Sequence, residues 1–190
     1  MASFEEKPIH FFRTIAEWEG FLEGDPGDDG VRLQLRKKSS SEPGITWGEA
    51  LDVALCFGWI DGQSKRLDDD YTLQAFTPRR RSSPWSQINQ GHVARLIAEE
   101  RMRPAGQAEI DRARADGRWD AAYRVKGAEP PPELAAALAA NPAAQATWDA
   151  MTRQARFAVI FRLGQLKRAE TRERNIAKYI ALLERGEQPA

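Results

Sequence analysis

Residues 46–85, TWGEALDVALCFGWIDGQSKRLDDDYTLQAFTPRRRSSPW, contain a helix, a hairpin and an arginine cluster in succession. Thr46 and Glu49 have capping-box spacing, in which each side chain accepts a hydrogen bond from an otherwise unpaired backbone N–H. Nearly every position between 47 and 57 is apolar, and a helix that is apolar almost all round is buried. Gly58 favours the end of that helix. We therefore predict that this helix forms the core of the protein.

A β-hairpin is predicted directly behind the helix. Residues 60–66 and 72–77 form two strand candidates on either side of the turn-rich residues 67–71. Side chains alternate along a strand, so every second residue of the first strand shares one face. The residues expected on that face, where a polar ligand would be oriented, are Trp59, Asp61, Gln63 and Lys65.

The predicted ligand-binding site continues past the second strand. Arg79, Arg80 and Arg81 follow Pro78, and we expect a helix to begin close behind them with Ser83 as N-cap and Pro84 at its first position. Guanidinium groups match phosphate or carboxylate oxygens, and a helix start adds free N–H groups. With Trp59 and Trp85 as stacking walls, these residues predict an anion site. The alternative is structural: one arginine pairs with Asp61 or with the Asp68–Asp70 turn, and solvent covers the others.

The remaining elements predict an α+β fold. Residues 31–37 alternate as a half-buried strand, which we expect to join the buried helix and the hairpin in a sheet of three or four strands covered by helices. Helical patterns dominate after Pro84, and the proline-rich residues 126–132 are a linker candidate. We predict an α/β body over residues 1–125 and C-terminal helices over 131–190, docked on the body as one compact unit.

Composition excludes several classes of protein. A hydrophobic fraction of 42% with six tryptophans indicates a folded chain, and a net charge of zero gives no overall attraction to nucleic acid or anionic lipid. We find no secretory signal and no apolar run of the roughly 20 residues that a membrane span needs, so we expect a cytoplasmic protein. A single cysteine excludes an internal disulfide.

No cofactor, metal or catalytic residue is predicted. Cys56 lies in the buried helix, so we expect an inert thiol, and His10 and His92 lack metal-ligand spacing. Nucleic-acid binding is the alternative that fits less well, through basic residues on the last two helices. These residues are Arg153, Arg156, Arg162, Lys167, Arg168, Arg172, Arg174 and Lys178.

Five stretches of the chain resemble the bacterial family described as YdeI or OmpD-associated, or bacteriocin-protection. They are ALCFGWIDGQSKRLDDD, FTPRRRSSPWS, IAEERMRPAG, DGRWDAAY and AETRERNIAKYIALLERG, which together with their spacing extend roughly from Trp18 to the end. The resemblance implies a link to antimicrobial-peptide resistance and to an outer-membrane porin. It implies no reaction, cofactor or catalytic residue.

Three functions therefore stay open. The resemblance favours a binding protein of stress or peptide resistance, with a small anionic ligand or a protein as partner. A nucleic-acid binder and a small enzyme acting on an anionic metabolite are the alternatives. The sequence does not indicate the oligomeric state.

Overall fold

A computed structural model describes residues 3–124, 127–166 and 168–189. The chain divides into two compact units, Met1–Ala122 and Tyr123–Ala190, which we call unit 1 and unit 2. Unit 1 combines a sheet with helices, and unit 2 is helical, so the predicted α+β class is confirmed. The docking of unit 2 on unit 1 stays a prediction.

Unit 1 is built on a four-stranded sheet. Its elements are β1 (Ile9–His10), α1 (Ile15–Glu23), β2 (Val31–Arg36), α2 (Trp47–Cys56), β3 (Trp59–Arg66), β4 (Tyr71–Pro78), α3 (Gln87–Ala98) and α4 (Pro104–Ala115). The strand order is β1-β2-β4-β3, with β1 parallel to β2 and β4 antiparallel to both of its neighbours. β2 and β3 are therefore parallel, and helix α2 connects them across the intervening β4.

Helix α2 is the buried helix that the sequence predicts. The capping box is present: Glu49 accepts from the backbone N–H of Thr46 at 2.7 Å, and this bond lowers the pKa of Glu49. One side of α2 packs with the sheet and α1 through Ala50, Val53 and Ala54. Its other side packs with α3 and α4. The residues on that second side are Leu51, Leu55 and Cys56.

The register of the hairpin shifts inside β3. Asp61 pairs with Phe76 and Ser64 with Gln74, so β3 has one residue more than β4 between these pairs, which is a β-bulge. A bulge interrupts the alternation of side chains. Lys65 pairs with Leu73, which lies on the opposite face of β4 from Phe76, so Lys65 and Asp61 lie on opposite faces of the sheet.

The N-terminal segment covers the sheet face that carries Lys65. Buried Arg32 of β2 donates from Nε to the carbonyl of Lys7 at 2.9 Å and pairs with Glu5 at 3.0 Å. Lys65 reaches the other oxygen of Glu5, also at 3.0 Å. Glu5 therefore bridges two strands, and these ion pairs lower its pKa.

Unit 2 has a core of its own. Its helices are α5 (Pro132–Ala139), α6 (Pro142–Ala150), α7 (Arg153–Gly164) and α8 (Ala169–Glu184). Leu134, Trp148, Val159 and Leu163 are among its buried residues. The predicted linker includes Lys126, which lies outside the described residues. Within the described part of the chain, no helix is long and apolar enough to cross a membrane.

Close contact between α2 and α4 makes a first testable prediction. A Cβ atom added to Gly106 of α4 would lie 2.2 Å from the carbonyl oxygen of Cys56. We expect Gly106→Ala to lower the free energy of unfolding by about 1–3 kcal/mol, because the two helices would have to separate. Gly91→Ala in α3 is the control, since its added Cβ meets no atom within 4 Å. Urea unfolding of both variants is the measurement, and equal stability of the two would contradict this contact.

Candidate functional site

Asp61 is the carboxylate of the predicted site in unit 1. The indole Nε1 of Trp47, the first residue of α2, donates to Asp61 Oδ2 at 3.2 Å. Burial raises the pKa of Asp61, although the Trp47 bond and the charges of Arg79 and His92 act in the opposite direction. A carboxylate with a raised pKa near cationic groups is typical of functional sites.

The structure does not bring all the predicted strand residues together. Trp59 is buried in the core with its ring 6.2 Å from that of Trp18, so it is not available as an open stacking wall. Gln63 is exposed where the register shifts, and Lys65 lies on the opposite face from Asp61. The prediction of one shared face is therefore wrong, because the bulge changes the alternation after Asp61.

Arg79 and Trp85, two residues of the predicted anion site, form a stacked pair. The guanidinium carbon of Arg79 lies 3.7 Å from the centre of the Trp85 ring, and Arg79 donates to the carbonyl of Pro84 at 3.2 Å. Both side chains are buried. Arg79 therefore holds the turn between β4 and α3 in place.

Arg80 and Arg81 are exposed on this turn. Among the described residues, no carboxylate lies within ion-pair distance of either side chain. The acidic turn at Asp68–Asp70 instead pairs with Arg66 through Asp69 and accepts from Lys37. Two cations of the predicted cluster thus remain accessible, and binding of an anion there stays a prediction.

Ser83 does not cap the helix that follows. Its hydroxyl accepts from the backbone N–H of Arg80 at 2.9 Å, and its own N–H donates to the Arg80 carbonyl. The N-cap is Ser86, which accepts from the N–H of Asn89 at 3.1 Å. The predicted helix start is therefore wrong by three residues, because Ser83 closes the turn that carries Arg80 and Arg81.

A charged cluster between α2 and α3 was not predicted. Asp52 accepts from Arg95 at 2.6 Å and lies 3.3 Å from Nδ1 of His92. The hydrogen bond to Asp52 raises the pKa of Arg95 further. Asp52 itself, a carboxylate in a mostly apolar helix, was a signal in the sequence. Its partners His92 and Arg95 lie about 40 residues away in the chain, so local patterns could not identify them.

The thiol of Cys56 faces the interior of unit 1. Burial raises its pKa to about 11, so the thiol stays protonated at neutral pH. Within the described ranges, no group of three or more histidine, cysteine, aspartate or glutamate residues could hold a metal ion.

Unit 2 contains a cavity of about 730 Å³ that the sequence did not reveal. Trp148, Phe157 and Ile160 give it an apolar wall, and Arg153 and Arg156 lie beside this wall in the first turns of α7. The spacing of Phe157, Ile160 and Phe161 in the sequence predicts that they are core residues. The structure buries Val159 and Leu163 of this helix and leaves Phe157, Ile160 and Phe161 half-buried.

The basic residues of the last two helices have several different environments. Arg162 donates to the carbonyl of Ala158, and Arg172 donates to that of Leu166 and lies 3.8 Å from Glu133. Lys167 lies outside the described residues. Arg153 and Arg156 are the pair that lines the cavity, so nucleic-acid binding through these helices stays a prediction.

Two family models match the chain in separate segments. Residues 10–109 match a family described as a domain of unknown function, DUF8412. Residues 127–186 match the family described as "Bacteriocin-protection, YdeI or OmpD-Associated", which confirms the resemblance there. The comparisons with curated proteins and with solved structures gave no match.

The burial of Asp61 makes a testable prediction about pH. A raised pKa means that the folded state binds the proton of Asp61 more tightly than the unfolded state does. The ionised Asp61 carboxylate therefore lowers the stability of the fold once the pH exceeds the pKa that Asp61 has in the unfolded chain. We expect Asp61→Asn to raise the melting temperature at pH 7, because the amide oxygen can still accept from Trp47 without a charge. This gain in melting temperature should be smaller at pH 4, where Asp61 of the parent protein is partly protonated.

The exposed Asp120 provides the control. Asp120→Asn should leave the melting temperature nearly unchanged at both pH values, as is usual for surface substitutions. If Asp61→Asn instead lowers the melting temperature at pH 7, the attraction between the Asp61 carboxylate and its cationic neighbours outweighs the cost of burying its charge.

Proposed function

The chain belongs to the DUF8412 family of domains of unknown function, and we propose that it protects against bacteriocins by binding an anionic ligand in unit 2. The protective role in this proposal comes from the segment that matches the bacteriocin-protection family. One observation carries this proposal: the cavity of unit 2 places two arginines beside an aromatic wall. The cavity lies inside the matched segment. The ligand class is a molecule with a phosphate, sulfonate or carboxylate head and an apolar body.

The size and charge of the cavity support this ligand class. A volume of about 730 Å³ is within the range of small-molecule sites, which are mostly apolar with a few polar groups. In the described part of unit 2, no carboxylate lies within ion-pair distance of Arg153 or Arg156. Their guanidinium groups can therefore take up an anion with paired hydrogen bonds.

The lining of the cavity favours binding over catalysis. Apart from its apolar and glycine residues, the described lining consists of Arg153, Arg156 and Gln154. None of these is a general acid, a general base or a nucleophile that works at neutral pH. An enzyme acting on an anionic metabolite is thus the weaker candidate at this site.

Fluorescent probes test the ligand class. We expect the anionic probe 8-anilinonaphthalene-1-sulfonate to bind the parent and to bind Arg153→Gln/Arg156→Gln about tenfold more weakly, because two charge-assisted hydrogen bonds are lost. The neutral probe N-phenyl-1-naphthylamine should bind both proteins equally, since the aromatic wall is unchanged. Fluorescence titration gives both affinities.

Arg80→Gln/Arg81→Gln is the matched control, because it removes two exposed arginines from unit 1. It should keep the parental affinity for both probes. Equal affinity of the sulfonate probe for the parent and for Arg153→Gln/Arg156→Gln would reject the proposed site.

The arginine turn of unit 1 is tested separately with inorganic sulfate. If Arg80 and Arg81 bind an anion, sulfate should raise the melting temperature of the parent more than that of Arg80→Gln/Arg81→Gln. Arg153→Gln/Arg156→Gln serves as the reverse control at equal charge. The same sulfate-induced shift in the parent and the Arg80/Arg81 variant would mean that the turn is only a solvated loop.

A further inference from the structure

Besides the arginine-lined cavity, unit 2 has a groove whose charged residues are acidic. It has a volume of about 500 Å³ and lies between α5 and α8. Its floor is apolar, and glutamates stand along it. The floor residues are Ala137, Ile176, Ala177, Ile180 and Ala181, and the glutamates are Glu133, Glu173 and Glu184.

The residues from α8 form one continuous stripe. Positions 173, 176, 177, 180, 181 and 184 follow the helical spacing of three and four, so they lie along one side of the helix. From Glu173 to Glu184 this stripe is about 16 Å long. The groove can therefore hold about three turns of another helix.

Small side chains keep the groove open. Ala177 and Ala181 are exposed, whereas Ile176 belongs to the core of unit 2 and the half-buried Ile180 packs against that core. An alanine side chain lets a second backbone approach closely, and the neighbouring isoleucines supply apolar contact. The exposed part of the floor is thus an apolar surface for a partner, and the core of unit 2 lies directly beneath it.

The rim is negatively charged and largely available. Within the described chain, no cation lies within ion-pair distance of Glu173 or Glu184, and Glu133 has only Arg172 at 3.8 Å. The basic Arg174 and Lys178 of α8 are exposed but do not line the groove. The local charge is therefore negative, although α8 as a whole carries both signs.

We propose that this groove binds the amphipathic helix of a cationic peptide. Apolar residues of such a helix, three and four apart, would contact the floor, and lysines or arginines at its margins would meet Glu133, Glu173 and Glu184. A second copy of the chain fits less well, because a symmetric pair would bring the same glutamate rims together. The site differs from the arginine-lined cavity in both charge and residues, so the two proposals can fail independently.

A synthetic 14-residue helix of leucine and lysine is the probe. We expect the fluorescently labelled peptide to bind the full-length protein in an anisotropy titration at low salt. A scrambled peptide of the same composition should bind more weakly, because it lacks one apolar face. The corresponding leucine–glutamate peptide should not bind, since its charges repel the rim.

Two groove variants define the site. Glu173→Gln/Glu184→Gln should weaken binding of the leucine–lysine peptide about three- to tenfold, as two exposed charge pairs are lost. Ala177→Lys should abolish binding by filling the floor with a long cationic side chain. The matched control, Glu129→Gln/Asp149→Asn, removes two charges of unit 2 outside the groove and should stay within twofold of the parent.

Three results would overturn the proposal. The first is equal weakening by the groove variant and the matched control, which would indicate general electrostatic attraction. The second is equal binding of the scrambled peptide. The third is a homodimer in sedimentation that Ala177→Lys dissociates, which would assign the groove to a second copy. Circular dichroism of each variant shows that its helices are retained, so loss of binding reports on the groove.

Discussion

Burial of helix α2 on two sides is the constraint on which unit 1 depends. Its small residues Ala50 and Ala54 face the sheet, and its larger Leu51 and Leu55 face α3 and α4. A helix in this position must be apolar almost all round, and its few polar residues must find partners at the edges. Glu49 finds one in the capping box, and Asp52 finds others in α3.

The same constraint brings the polar residues of unit 1 together. Because α2 begins at Trp47 and leads directly into β3, its first turn lies close to Asp61, which accepts a hydrogen bond from Trp47. Packing of α3 on the other side of α2 then brings His92 and Arg95 to Asp52. A carboxylate that burial holds at a raised pKa costs stability, and such a cost is commonly found where a protein needs the charge for its function.

The sequence predicted the elements of unit 1 where local patterns decide them. The apolar run, the capping box and the turn-rich break gave α2 and the hairpin nearly at their observed bounds. The predicted site was less accurate, because it depended on single-residue details. One extra residue in β3 moved Lys65 to the other face. Ser86 rather than Ser83 is the N-cap, and the turn before it accepts a hydrogen bond from Arg118 at the Ser83 carbonyl, a contact 35 residues away in the chain that local patterns do not reveal.

The cavity and the groove of unit 2 could not be found from composition, because composition averages charged and apolar residues over the whole chain. A net charge of zero conceals an aromatic cavity with Arg153 and Arg156 and an apolar groove with Glu173 and Glu184. Each surface needs residues from separate helices: Trp148 of α6 faces α7, and Ala137 of α5 faces α8. Helical spacing identifies an apolar stripe but not whether a neighbouring helix covers it. Local charge beside an uncovered apolar surface therefore determines which partner fits, and the ligands that we propose for the cavity and the groove of unit 2 are accordingly of opposite sign.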